Sequence, residues 1–147
     1  MGKKDNNNQK FERPRPIFPK RAVITAGMPY GNKELHFGHV GGMFVHADTF
    51  ARFMRDRIGE ENVLFVSGTD CYGSPILEGF RKAQESGALA ADATIQDYVR
   101  GNHEKQKQTL RDYEISPNFY ASALEPAAPM HNKESQELFD DLLERGW

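Results

Sequence analysis

Apolar residues along this chain fall into two kinds of spacing. From Val40 they recur at Val40, Phe44, Ala47, Ala51, Met54 and Ile58, an alternation of four and three that draws one stripe along a helix. Arg52, Arg55 and Arg57 load the last turns with positive charge, and Gly59 is a suitable stop. On either side lie short, near-continuously apolar runs, "RAVITA" (Arg21–Ala26) and "NVLFVSG" (Asn62–Gly68). Each reads as a strand, and the first is predicted to be buried on both faces. Strand, helix of about 20 residues and strand make a βαβ unit, which implies parallel pairing and a right-handed crossover.

Further on, the spacing predicts a helix from about Pro75 to Ser86, stopped by Gly87 and opened by a proline suited to a first turn. Thr94–Asp112 reads as a long polar helix with Ile95, Tyr98, Val99 and Leu110 as its few apolar contacts. "ISPNFYAS" is a short strand or extended segment, and Asn132–Arg145 a final helix ending at Gly146. Residues 1–20 carry Pro14, Pro16 and Pro19 and read as a disordered, basic and proline-rich leader. No internal repeat occurs, and the predicted fold class is α/β.

With 147 residues the chain has room for one stable core. No apolar run approaches the roughly 20 residues of a membrane span, and no apolar stretch follows Lys3 and Lys4 to make a secretory signal. The expected location is therefore the cytoplasm, with no membrane partner. Cys71 is the single cysteine, so no internal disulfide and no multi-cysteine zinc site is expected in this chain. Charge changes the picture at one end: residues 1–21 hold seven Lys/Arg against Asp5 and Glu12. That basic arm could contact RNA or an acidic surface, or simply be solvated.

The candidate chemistry lies in Gly27–Gly42, "GMPYGNKELHFGHVGG", with five glycines and the pair His36 and His39. It runs from the first strand into the first helix, where open parallel sheets bind ligands. A helix start offers free N–H groups to a phosphate, and glycine lets a ligand approach the backbone. Histidines three apart share a helix face, and their N–H groups could donate to a phosphate whose charge grows during attack. Two nearby histidines can also be incidental surface. A metal site would need more ligands; His46 could share the face, but no cysteine cluster or converging carboxylates accompany it. Neither GxGxxG after the strand nor GxxxxGK[ST] anywhere is present, which weighs against dinucleotide and P-loop sites.

These residues bear a resemblance. "HFGH" resembles the HxGH signature of class I aminoacyl-tRNA synthetases and related nucleotidylyl transferases, and "ITAGMPYGNKELHFGHVGG" resembles the first motif of methionyl-tRNA synthetases. "FVSGTDCYGSPI" is similar to that family's GTD-x-x-G segment. "ISPNFYASALEPAAPMHNKESQELFDDLLERGW" is similar to its stretch leading into the connective-peptide domain. The resemblance spans about residues 21–147. It implies the N-terminal half of a Rossmann-like parallel-sheet nucleotide-binding domain over residues 21–115, with 116–147 leading into a truncated connective-peptide domain.

The resemblance also implies roles. His36 and His39 match the signature histidines that bind ATP phosphates and stabilise adenylate formation; Gly38 matches the glycine under the adenine, and Gly41 belongs to the same ATP-binding turn. Met28 and Tyr30 match positions lining the methionine site, and Asp70 matches the acidic residue that receives the substrate ammonium. From the residues alone, Asp70 is either such a cation partner at a strand's carboxyl end or a helix-capping aspartate. The implied reaction is attack of the methionine carboxylate on the α-phosphate of ATP, then transfer of methionyl to tRNA(Met). Mg²⁺ would accompany ATP rather than sit in an all-protein cage.

A KMSKS-type lysine loop, the second half of the nucleotide-binding fold, the zinc-bearing insert and the anticodon-binding domain have no counterpart in these 147 residues. The expectation is thus an N-terminal fragment of a methionine–tRNA ligase, inactive alone. The alternatives are a non-catalytic nucleotide- or RNA-binding module and a small HxGH nucleotidylyl transferase.

Overall fold

The computed structural model describes residues 16–124 and 128–147. Residues 1–15 of the expected leader, with Lys3, Lys4, Lys10, Arg13 and Arg15 of its basic arm, lie outside the described residues. Three strands, β1 (Ala22–Thr25), β2 (Val63–Thr69) and β3 (Phe119–Ser122), form a parallel sheet in the order β1-β2-β3. Ala22 pairs with Val63 through Thr25 with Val66, and Val66 pairs with Phe119 through Thr69 with Ser122. The central strand β2 therefore carries both ladders. The five α-helices in the described residues are α1 (Phe37–His39), α2 (Val45–Ile58), α3 (Ser74–Glu85), α4 (Ile95–Asp112) and α5 (Pro129–Glu144).

The stripe read from Val40 onward is the buried one. Val40, Phe44, Ala51 and Met54 are buried; Phe44, Ala51 and Met54 form the main core cluster with Ile24, Val63, Phe65, Leu110 and Ile115. Between α1 and α2 the chain widens into a π turn over Val40–Phe44, a local irregularity often found at functional sites. Gly59 ends α2 as expected, with its N–H donating to Arg55 O at 3.0 Å. A second cluster of Cys71, Ile76, Val99 and Leu124 joins α3 and α4 to the carboxyl end of β2. Phe18, inside the segment expected to be leader, packs on the main core and meets Phe53 edge-on at 5.9 Å.

One strand differs from expectation. Only Ile24 of β1 is buried, while Val23 is 67% exposed and Thr25 is exposed. Alternate residues of a strand face opposite sides, so β1 turns one face to α2 and the other outward with Leu64 and Phe119. A β-branched run reads the same whether one face or both are covered. "ISPNFYAS" contains a third parallel strand, Phe119–Ser122, and the segment is held by polar contacts as well as by Ile115 and Tyr120 on the core. Asp48, buried on α2, accepts from Ser116 N (2.8 Å), Ser116 Oγ (2.6 Å) and Arg52 Nε (2.6 Å). Arg55 donates to Ser116 O and to Asn118 Oδ1, both at 3.0 Å. Asn118 Oδ1 also accepts from Phe65 N at 2.7 Å, beside the start of the β2–β3 ladder. Burial alone would push the Asp48 carboxyl up, but its bonds from Ser116 and Arg52 outweigh that and hold its pKa below the ordinary value.

Candidate functional site

The two imidazoles do more than share a face. His36 is the residue at the helix start, with extended backbone, and its Nδ1 accepts from Gly38 N at 3.1 Å. His39 Nδ1 reaches back to accept from His36 N at 3.3 Å. This is the reciprocal arrangement of a capping box, built from two histidines in place of Ser/Thr and Glu. The rings stack with centroids 3.9 Å apart and planes 26° from parallel. A nitrogen that accepts from an amide carries no proton, so each neutral ring is protonated at Nε2. Both Nε2–H groups thus lie on the ring sides opposite the backbone they cap.

Burial pushes the His39 pKa down, and the nearby His36 and Lys33 push in the same direction. His39 is suited to donate as neutral imidazole. His103 of α4 is also lowered, by burial first and by Lys107, against the opposing effect of Glu104. For both, the unfolded chain binds more protons than the folded one from below pH 6.5 down to the folded pKa, so stability rises with pH through that window. Protonating His39 at Nδ1 would also release the His36 amide from its cap. The urea midpoint is expected to be lower at about pH 5.5 than at about pH 7.5. The carboxylates with lowered pKa, such as Glu78 at about 2, respond only at lower pH. Equal midpoints at the two pH values would contradict this.

The remaining candidates gather around the end of β2. Tyr30 and Asp70 form a parallel bridge, in which Gly31 N donates to Asp70 O (2.7 Å) and Asp70 N donates to Pro29 O (2.8 Å). Asp70 Oδ1 accepts from Tyr72 N at 3.2 Å. Gly73, not Asp70, is the residue at the start of α3, so the helix-capping alternative does not apply there. Met28 (51% exposed) and Tyr30 (45% exposed) present open side chains on this rim. A Cβ on Gly38 would lie 3.0 Å from the His36 ring, and one on Gly41 3.2 Å from the Phe37 ring. Among the described residues no three His, Cys, Asp or Glu side chains gather to hold a metal ion. Nor is any described helix long and apolar enough to cross a membrane.

Sequence reasoning passed over a layer beneath the loop. Tyr98, Asn102 and Gln106 on α4 donate to backbone carbonyls of residues 30–33. The spacing of four was the available signal; Tyr98 was read only as an apolar contact, and polarity hid Asn102 and Gln106 among the solvated residues of a polar helix.

The sequence profile of the family described as tRNA synthetases class I (M) matches residues 22–147. The methionine–tRNA ligase of Cytophaga hutchinsonii is 36% identical over 128 residues, which are 87% of this chain and 17% of that protein. That of Chlamydia abortus is 34% identical over 128 residues, again 87% of this chain and 21% of the relative. The chain therefore spans about a fifth of the length of these relatives. Among solved structures, the Mycobacterium tuberculosis methionyl-tRNA synthetase in complex with methionyl-adenylate superposes with a TM-score of 0.56 and 25% identity. It covers 69% of this chain and 18% of that one.

Proposed function

Since this chain belongs to the class I methionyl-tRNA synthetase family, we propose that Gly27–Gly42 and Asp70 form one half of a site that activates methionine with ATP. In that reaction a carboxylate oxygen of methionine attacks the α-phosphorus of ATP. The bond to the pyrophosphate oxygen breaks, and methionyl-adenylate forms before methionyl passes to tRNA(Met). His36 and His39 donate their Nε2–H groups to the phosphates. Gly38 and Gly41 leave the turn open to the nucleotide, and Asp70 takes the methionine ammonium. Met28 lines the amino-acid side by its backbone and Tyr30 by its ring.

The observation that carries this reading is the double use of the histidines. Each Nδ1 is spent on a backbone amide, and each Nε2–H is left to donate. Preorganised neutral donors aimed at developing charge are the largest single contribution in many phosphoryl and acyl transfers. The ligand of the tuberculosis neighbour, methionyl-adenylate, is the compound this chemistry makes. Mg²⁺ is the expected companion of ATP. Bound on the triphosphate, it would neutralise phosphate charge. The pairing with tRNA(Met) and a place in cytoplasmic translation follow from the same reading.

The test is a calorimetric titration of the chain with ATP up to millimolar concentration. Saturable binding that His39→Ala weakens supports the site; no saturable heat from the wild type overturns it.

A further inference from the structure

Four successive carbonyls, those of Tyr30, Gly31, Asn32 and Lys33, stand in the loop between β1 and His36. Buried carbonyls need donors, and here every one is supplied by a single face of α4. Tyr98 Oη donates to Asn32 O, Asn102 Nδ2 to Gly31 O at 3.0 Å, and Gln106 Nε2 to both Tyr30 O and Lys33 O at 2.9 Å. Positions 98, 102 and 106 are one turn apart and share a helix face.

Gln106 is fully buried and uses all of its hydrogen-bonding capacity. Its Oε1 accepts from Thr69 Oγ1 and from Tyr120 Oη, both at 2.8 Å. Because Tyr30 O and Lys33 O can only accept, the amide cannot be turned over without setting oxygen against oxygen. Gln106 thus ties the histidine-bearing loop to the last residue of β2, next to Asp70, and to β3. We infer that Gln106, with Asn102 and Tyr98, consists of positioning residues that set the loop of Tyr30 and His36 against Asp70 through backbone carbonyls. The inference rests on the reading of that loop as the ATP and methionine site, but its geometry can be tested without ATP.

The variants are Gln106→Met, which keeps side-chain length and removes both donors, and Tyr98→Phe, which removes one hydroxyl from an otherwise unchanged ring. Amide hydrogen exchange is followed in the 147-residue chain at Gly31 and Asp70, whose N–H groups make the bridge, and at Met54 and Phe65 in the core. Exchange at Gly31 and Asp70 is expected to rise about tenfold or more in Gln106→Met, and by less in Tyr98→Phe, with Met54 and Phe65 within about twofold of wild type. Unchanged bridge amides, or an equal rise at all four positions, would overturn the positioning role. If Gln106→Met does not fold, Tyr98→Phe decides by the same pattern. An ATP titration is run alongside: a wild type that binds no ATP overturns the function proposed above, while the exchange pattern still decides this inference.

Discussion

Replacing Gly68 with valine is expected to lower the melting temperature of the chain by at least 6 °C, roughly, from a loss of about 3 kcal/mol or more. Gly68 sits in β2 opposite Ala121 of β3. A Cβ there would lie 2.6 Å from Ala121 O and 3.2 Å from Ala121 C, both backbone atoms of the neighbouring strand. No rotamer relieves a clash made by Cβ itself, so the strands must part. Overpacking normally costs about 1–3 kcal/mol, and more when the backbone has to yield. The same Cβ would lie 3.1 Å from Met28 Cε, so the strain also reaches a residue proposed to line the methionine side. Gly68→Ala should show a smaller loss of the same sign. A Gly68→Val chain that melts within about 2 °C of wild type would contradict the close approach of β2 and β3.

The second large effect separates the two uses of His36. Asparagine is among the best residues at a helix start, and its Oδ1 can take over the role of Nδ1 in accepting from Gly38 N. It has nothing to replace Nε2–H. His36→Asn is therefore expected to keep stability within about 0.5 kcal/mol of wild type or raise it. ATP affinity should fall by roughly tenfold to a hundredfold, the usual worth of a hydrogen bond to a charged group. His36→Ala loses both functions and should also lose about 0.5–2 kcal/mol of stability. Were the histidines only caps, the asparagine variant would bind ATP as wild type does.

Much of the frame was legible because apolar period and turn residues are local. The stripe from Val40 to Ile58, the Gly59 stop and the two apolar runs each announce themselves within a few residues. The place of the loop with His36 and His39 between strand and helix was legible too, since β1 precedes it and α1 begins at its histidines. Polar residues that act at long range were not. Asp48 lies among charged residues on α2, and only its distance from Ser116, 68 positions away, reveals that it anchors β3. Gln106 looks solvated until its partners at Tyr30 and Lys33 are seen. The open face of β1 escaped for a similar reason, since what covers a strand is not written in the strand. The capping by Nδ1, which assigns the outward donors, depends on ring orientations that no residue spacing specifies.

The central claim is that both histidines cap the backbone through Nδ1 and offer Nε2–H to ATP. Proton–nitrogen correlation spectra of the imidazoles, recorded at neutral pH during an ATP titration of wild type and His36→Asn, test it most directly. The account predicts Nε2-protonated rings for His36 and His39 in the free chain and saturable shifts at both Nε2 positions with ATP. In His36→Asn the response at His39 should need a higher ATP concentration. Rings protonated at Nδ1, or a His39 response identical in wild type and His36→Asn, would contradict it.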